Sequence, residues 1–252
     1  MIVTICNRRG GTGKTLTTHS LGAGLRARGF SVLFVDLDSQ CNLSYDLGAS
    51  TTGVTAFDVL TNRALIKDGI QHTEGGDILS GSPRLASADM ILTDVGKEYR
   101  MKEQLESIEK RYDFVLIDTA PALGVLIVNA LTASDRALIP VQAEIHSING
   151  VALISETIDT VKRYCNSGLT IDGLLITRYN NRSILARDMA DNLRDQAREL
   201  GTRLYNTRVR ECVALKESQA VQQDIFTYAP RSNGAKDYTE VVTEFLRGKD
   251  NE

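Results

Sequence analysis

Cysteine is scarce and scattered: Cys6, Cys41, Cys165 and Cys212 lie far apart, with no C-x-x-C pair among them. That spacing argues against a disulfide or zinc framework and for a reducing compartment. The three histidines, His19, His72 and His146, form no metal-ligand pattern and read as core or surface residues. No apolar run approaches roughly 18 residues, so no membrane span is expected. The first residues also lack the basic-then-apolar order of a secretory signal, which points to a cytoplasmic protein. A net charge of −3 gives no overall basic signal. Any contact with nucleic acid must therefore come from a local patch. Repeats, low-complexity tracts and Pro/Gly/Ser linkers are missing as well, so residues 1–252 read as a single domain, large enough for a substantial core.

What is present is an alternation of apolar runs of strand length with amphipathic segments of helix length, the pattern of a parallel sheet covered on both faces. Strands are expected at Ile2–Ile5, Ser31–Asp36, Ile78–Ser80, Phe114–Ile117, Ala137–Val141, Leu169–Thr177 and, briefly, near Arg203–Tyr205. Phe114–Ile117 is the expected central strand. Helices are expected at Leu16–Arg28, near Lys97–Lys110, and at Gly124–Leu131, Gly150–Cys165, Ser183–Leu200 and Lys236–Arg247, with short pieces at Thr55–Leu60 and Arg84–Leu92. In the Ser183–Leu200 helix, Leu185, Met189, Leu193 and Leu200 form the expected apolar side.

Between the first strand and first helix stands Cys6-Asn7-Arg8-Arg9-Gly10-Gly11-Thr12-Gly13-Lys14-Thr15. Three glycines in four positions let backbone N–H groups turn inward around an anion, and the following helix adds its positive end to the same spot. Such a loop binds phosphate through residues Gly10, Gly11, Thr12, Gly13, Lys14, Thr15 and Leu16. Lys14 would reach the β- and γ-phosphates and the Thr15 hydroxyl would ligate Mg²⁺. The standard G-x-x-x-x-G-K-[ST] pattern is incomplete, because Arg8 stands where its first glycine belongs.

Two acidic segments join the loop. Val35-Asp36-Leu37-Asp38-Ser39-Gln40 lies at the carboxyl end of the second strand, where open α/β sheets bind ligands. Aspartates there can also cap the next helical turn, so both roles stand open for Asp36 and Asp38. Asp118-Thr119-Ala120-Pro121 follows the apolar run Phe114–Ile117 and has the form of a Walker-B strand, which brings a carboxylate close to a metal.

Together these segments resemble the deviant-Walker-A ATPases of the ParA/MinD family, whose loop reads x-K-G-G-x-G-K-T. Arg9 stands where that family has a lysine that contacts the nucleotide of a partner subunit, and it keeps the charge. Leu16 replaces a hydroxyl residue, leaving any α-phosphate contact there to the backbone, and Ser39 replaces the proline of the D-x-D-P-Q segment. By the resemblance, Asp38 orients or activates the attacking water and Asp36 supports the Mg²⁺ shell. Asp118 is a Mg²⁺-shell ligand, mostly through water, and Pro121 belongs to the switch that senses the γ-phosphate. The likeness continues in Leu174–Arg182, near which the family holds the base, and in Thr207–Ser218, which follows T-x-I-R-x-x-V-x-L-x-E-A. Tyr228-Ala229-Pro230, Gly234-Ala235 and Tyr238 complete the ending of ParA/Soj-type partition proteins, so the likeness spans nearly all of the chain.

The resemblance implies a single-domain P-loop NTPase, α/β in class, with a mostly parallel twisted sheet and helices on both faces. It implies an ATPase with ATP and Mg²⁺ as cofactors, Lys14, Asp38 and Arg9 in catalysis, and Thr15, Asp118 and Asp36 around the metal. The implied partners are a second copy in an ATP-bound homodimer, DNA held without sequence preference, and a ParB-like adaptor that stimulates hydrolysis. Such a cycle segregates plasmid or chromosomal DNA, with the ATP form on the nucleoid; adenine is implied by the family alone. Arg203, Arg208, Arg210, Lys216, Arg231, Lys236 and Arg247 are the basic candidates for DNA, each of which also reads as a solvated surface charge. Two alternatives share the fold: a MinD-like membrane-surface or protein-cargo positioning ATPase, and a metabolic ATP-dependent ligase. Residues 245–252 are short and polar beside a MinD-type membrane helix. Nitrogenase-iron-protein relatives need paired cysteines that this chain does not offer.

Overall fold

A computed structural model describes residues 1–145, 147–180 and 182–249; His146, Asn181 and residues 250–252 lie outside the described residues. Seven strands form one sheet: β1 (Ile2–Ile5), β2 (Val32–Leu37), β3 (Ile70–Thr73), β4 (Gly76–Leu79), β5 (Phe114–Thr119), β6 (Arg136–Gln142) and β7 (Thr170–Thr177). Their order is β3-β4-β2-β5-β1-β6-β7, which makes β5 the central strand, as expected. All neighbours run parallel except β3, which pairs antiparallel with β4 at the edge. The helices are α1 (Lys14–Arg26), α2 (Asn42–Asp46), α3 (Ala56–Leu60), α4 (Ile66–Gly69), α5 (Ala88–Ile91), α6 (Arg100–Glu106), α7 (Val125–Ala133), α8 (Ser147–Tyr164), α9 (Ile184–Glu199), α10 (Val213–Ala220), α11 (Ile225–Tyr228) and α12 (Asn233–Lys249).

The period-two alternation of strand side chains sorts the core. Phe34, Phe114 and Leu116 point to one face, where Leu21 and Leu25 of α1 and Val241, Val242 and Phe245 of α12 cover them. Their neighbours Leu33, Val35, Val115 and Ile117 point to the other, beneath Phe57 of α3, Met101 of α6 and Ala130 of α7. Beyond β1, the strands β6 and β7 form a third cluster with α8 and α9. Each fully buried Leu, Ile or Phe contributes about 1.5–3 kcal/mol relative to exposure, so continuous two-sided burial is what holds so parallel a sheet. Gly22 lets α1 come down on it: a Cβ there would lie 2.2 Å from the Phe34 ring.

From β1 the chain moves to β2 on one side, and from β5 it crosses β1 to reach β6 on the other. A crevice opens at such a reversal, beyond the carboxyl ends of the strands. The loops after β1, β2 and β5 all emerge there.

Several expectations shift. The edge strand β3 was not expected, because Ile70-Gln71-His72-Thr73 is too short and polar to stand out. The brief strand near Arg203–Tyr205 is reduced to an isolated bridge between Leu174 and Leu204. On α9 the buried stripe is Ala186, Ala190, Leu193 and Ala197, whereas Leu185 is 48% exposed. Alanines let this helix approach closely, so the seam follows small residues rather than large ones. The short α2, α10 and α11 also went unmarked; the Asp224 side chain caps α11 by accepting from the N–H of Phe226 and Thr227.

Candidate active site

The glycine-rich loop leaves β1 and enters α1 through Gly13, whose φ of 81° places it in the left-handed region; Gly11 has φ 75°. A Cβ at Gly10 or Gly11 would meet nothing within 4 Å, so the loop is an open cradle. It lines a cleft of about 400 Å³ that also reaches Asp38, Pro121, Arg178 and residues 209–212. The structure thus brings the loop, Asp38 and Pro121 to one cavity.

Lys14 is buried, and its Nζ donates to the Arg9 carbonyl at 3.2 Å, folding the side chain back over the loop. Burial lowers its pKa, against the opposing pull of Asp118 and Asp38. The Thr15 hydroxyl donates to Asp118 Oδ2 at 2.6 Å, and the Thr18 hydroxyl lies 3.4 Å from Asp118 Oδ1. Asp118 is wholly buried at the end of β5, and its pKa is raised by burial first and by the Asp36 charge next. Cys6, also buried, has its thiol pushed up to about 12 by burial, which leaves it a protonated, unreactive core residue.

Asp36 and Asp118 are direct neighbours across β2 and β5. Asp36 accepts from the Ser44 hydroxyl (2.7 Å) and N–H (2.9 Å) and from the Asp38 N–H (3.0 Å). It therefore caps α2 from the end of β2, and burial raises its pKa to about 6. Asp38 accepts from the Gln40 N–H at 2.9 Å while facing the cleft. Both readings left open for these aspartates have a counterpart here: Asp36 is engaged as a cap, and Asp38 lines the cavity.

Arg9 is held within its own chain. Its guanidinium Nη2 lies 2.5 Å from Glu144 Oε2, its N–H donates to Asn7 Oδ1, and its Nη1 is buried without a partner. Glu144 was not marked in the sequence, nor were Asn7, Gln142 and Thr177, whose side chains brace the loop. No local pattern announces them, since Gln142 and Thr177 reach loop carbonyls 131 and 165 residues away.

The donor set suits a hard divalent cation. A hydroxyl and a carboxylate meet at Thr15 and Asp118 beside an open cradle, and burial has already raised the pKa of two adjacent carboxyls. Among the described residues, no group of three or more His, Cys, Asp or Glu side chains could hold a metal by itself. Mg²⁺ suits such a place, because it keeps several waters and is held by one or two protein ligands plus phosphate oxygens.

The basic candidates for DNA divide. Arg203 is bound to Asp172 and stacks over Tyr205, Arg210 is paired with Asp237 at 2.5 Å, Arg208 stacks on Tyr179, and Lys216 lies 3.6 Å from Glu211. Arg231, just ahead of α12, and Lys236, in its first turn, are exposed, with no acidic partner among the described residues. No helix among the described residues is long and apolar enough to cross a membrane.

Residues 1–171 match a protein family described as an AAA domain. The chain is 35% identical over 248 residues to the sporulation initiation inhibitor protein Soj of Bacillus subtilis, covering 96% of this chain and 97% of that one. It is 32% identical over 252 residues to the chromosome partitioning protein ParA of Caulobacter vibrioides, covering 97% and 93%. Among solved structures, cobyrinic acid a,c-diamide synthase from Mycobacterium smegmatis with bound ADP and magnesium matches with a TM-score of 0.84 at 29% identity, covering 99% of this chain and 95% of that one. With its glycine-rich cradle, its acidic strand ends and this likeness along its whole length, the chain belongs to the ParA/MinD-type P-loop ATPases, alongside Soj and ParA.

Proposed function

We propose that this ATPase is a partition motor: it dimerises on ATP, holds DNA without sequence preference, and hydrolyses ATP when a ParB-like adaptor stimulates it. The observation that carries this reading is the likeness to Soj and ParA over nearly the full chain, including the last third that lies outside the loop and its acidic neighbours. ATP would lie in the cleft with its phosphates in the cradle of residues 10–16, and Thr15 and Asp118 would hold Mg²⁺. The metal would neutralise charge on the phosphate oxygens. Asp36, with both oxygens engaged, would support that shell through its charge on Asp118 rather than by contact.

The chain's own groups would do the rest. Lys14 leaves the Arg9 carbonyl to meet the β- and γ-phosphates, and Asp38, already at the cleft, orients the attacking water. Arg9 leaves Glu144 to reach across to the phosphates of a second copy, where its planar fork suits a phosphate. That exchange costs little, because the pair is partly exposed and leaves one guanidinium nitrogen unsatisfied. Arg231 and Lys236 are the cations best placed to meet a DNA backbone, and the ATP form would sit on the nucleoid in the cytoplasm.

One observation favours a second reading, an amide-forming ligase: the diamide synthase shares the fold at 29% identity. A ligase turns over without DNA or adaptor. The deciding experiment is a gel shift on arbitrary duplex DNA with ATP, ADP or no nucleotide, repeated across salt. Binding that needs ATP, weakens steeply with salt and is lost in Lys14→Ala supports the partition reading; ATP-dependent binding retained in Lys14→Ala contradicts it.

A further inference from the structure

Between β1 and α1 the phosphate loop has no regular secondary structure to hold its shape, and two of its glycines, Gly11 and Gly13, occupy the left-handed region that glycine adopts readily. Something else must decide which way its peptide groups face. In a trans peptide the C=O and the next residue's N–H point in opposite directions, and the described residues contain no cis peptide. Pinning a carbonyl outward therefore aims the following amide inward.

Two side chains do this to successive peptides. Gln142 Nε2 donates to the Gly11 carbonyl at 2.9 Å, and Thr177 Oγ1 donates to the Thr12 carbonyl at 2.7 Å. The N–H groups of Thr12 and Gly13 belong to those same two peptide units. Gln142 and Thr177 are themselves register partners on the adjacent strands β6 and β7, at their carboxyl ends. They form a rigid rung, 7% and 2% exposed, on which the loop is hung. The Thr177 side chain also lies 3.7 Å from where a Cβ on Gly13 would stand, so it abuts the last turn of the cradle. The Thr177 hydroxyl has one proton and two acceptors within reach, and the loop carbonyl is the nearer, the Val141 carbonyl lying at 3.1 Å.

We infer that Thr177 and Gln142 are positioning residues for phosphate binding: by hydrogen-bonding the outward carbonyls of Thr12 and Gly11, they orient the amides of Gly13 and Thr12 toward the anion. This rests on the loop's reading as the ATP-phosphate site. Neither residue needs to touch the nucleotide. Both act through backbone they hold in place, which is why their contribution should follow the phosphates and ignore the base.

The test is calorimetric titration of ATP, and separately of inorganic tripolyphosphate, into the wild-type protein and into Thr177→Val, Thr177→Ser, Gln142→Met and Lys14→Ala, with thermal melts alongside. Thr177→Val and Gln142→Met should each weaken ATP about tenfold, the worth of one well-made hydrogen bond. Tripolyphosphate, with no base or ribose, should weaken by the same factor, and Thr177→Ser should bring both back to within about threefold of wild type. A purely structural role would lower the melting temperature without matching the two ligands or being rescued by serine. Folded Thr177→Val and Gln142→Met proteins that bind ATP within twofold of wild type, or that lose ATP while keeping tripolyphosphate, overturn the inference. If Thr177→Val fails to fold, Gln142→Met decides alone by the same criteria. A wild-type protein that binds neither ligand, or a Lys14→Ala protein that binds both normally, overturns the reading of the loop itself and the inference with it.

Discussion

Two parts of the cleft lining are built in different ways. In the phosphate part the groups stand on regular elements near the strand ends: Lys14 and Thr15 open α1 after the loop from β1, Asp38 follows β2, and Asp118 lies near the end of β5. In the other part, Arg178 and residues 209–212 are joined to β7 and to each other by long-range bonds. The Val209 N–H donates to the Ile176 carbonyl, the Tyr179 N–H to the Val209 carbonyl, and Arg210 is clamped by Asp237 of α12. Arg178 itself sits at φ 50°, a left-handed conformation that costs a bulky residue and persists only where its surroundings enforce it. The phosphate part is thus a set of local motifs on a buried sheet, while the part around Arg178 and Arg210 is an assembly. Damage to the first should travel through α1; damage to the second should stay at the clamp.

The largest effect is expected from a group in α1, the helix that carries Lys14 and Thr15. His19, in α1 and edge-on to Phe34, has its pKa pushed down to about 4 by burial, with Asp224 pulling it up and Arg26 pushing it down. The unfolded chain takes up that proton near the ordinary 6.5, so as pH falls from 6.5 toward 4 the unfolded state is favoured, and the penalty is complete below 4. Relative to His19→Leu, the wild-type protein should lose on the order of 3 kcal/mol across that window, read from denaturant midpoints at several pH values. Comparing the two proteins cancels the opposite slope from Asp46, whose carboxyl burial raises to about 6 and whose contribution therefore falls as pH rises from 3.8 through 6. Parallel midpoint curves would remove His19 as the source.

Next comes Gly22→Ala, which drives a methyl into the Phe34 ring and lifts α1 from the sheet. About 2 kcal/mol of stability should be lost, with weaker ATP binding because Lys14 and Thr15 ride on the same helix. A melt unchanged by this substitution would mean that α1 can shift freely, and the contrast between the two parts of the lining would fail. The smallest effect belongs to the clamp on Arg210. Asp237→Asn loosens the clamp on Arg210, whose side chain is partly exposed, and should cost about 1 kcal/mol in urea unfolding. Its effect on tripolyphosphate should be negligible; an equal loss on tripolyphosphate and ATP would show that the two parts of the lining are coupled more tightly than their separate scaffolds imply.

Much of this was legible along the chain. The loop, the acidic strand ends and six of the seven strands announce themselves because parallel strands buried on both faces need continuous apolar runs, and because ligand groups gather where those runs end. The edge strand β3 was not, since an edge exposed to solvent can be short and polar. Nor was the seam of α9, where Ala186, Ala190 and Ala197 take the buried side and Leu185 turns outward, because close helix approach rewards small residues over apolar bulk. The basic residues of the last third looked alike in sequence, yet Arg203 and Arg210 are tied to Asp172 and Asp237 while Arg231 and Lys236 face solvent.

Residue order alone determined the fold class, the phosphate cradle and the family, because apolar runs, a glycine-rich loop and motif likeness are read along the chain without knowing which strands become neighbours. Only the tertiary structure decided that Glu144 holds Arg9, that Ser44 occupies Asp36, and that Gln142 and Thr177 carry the cradle. Most of those contacts join side chains to partners far along the chain. Their hydrogen bonds exist only once the sheet has set adjacent strands in register, and no spacing of letters encodes that distance.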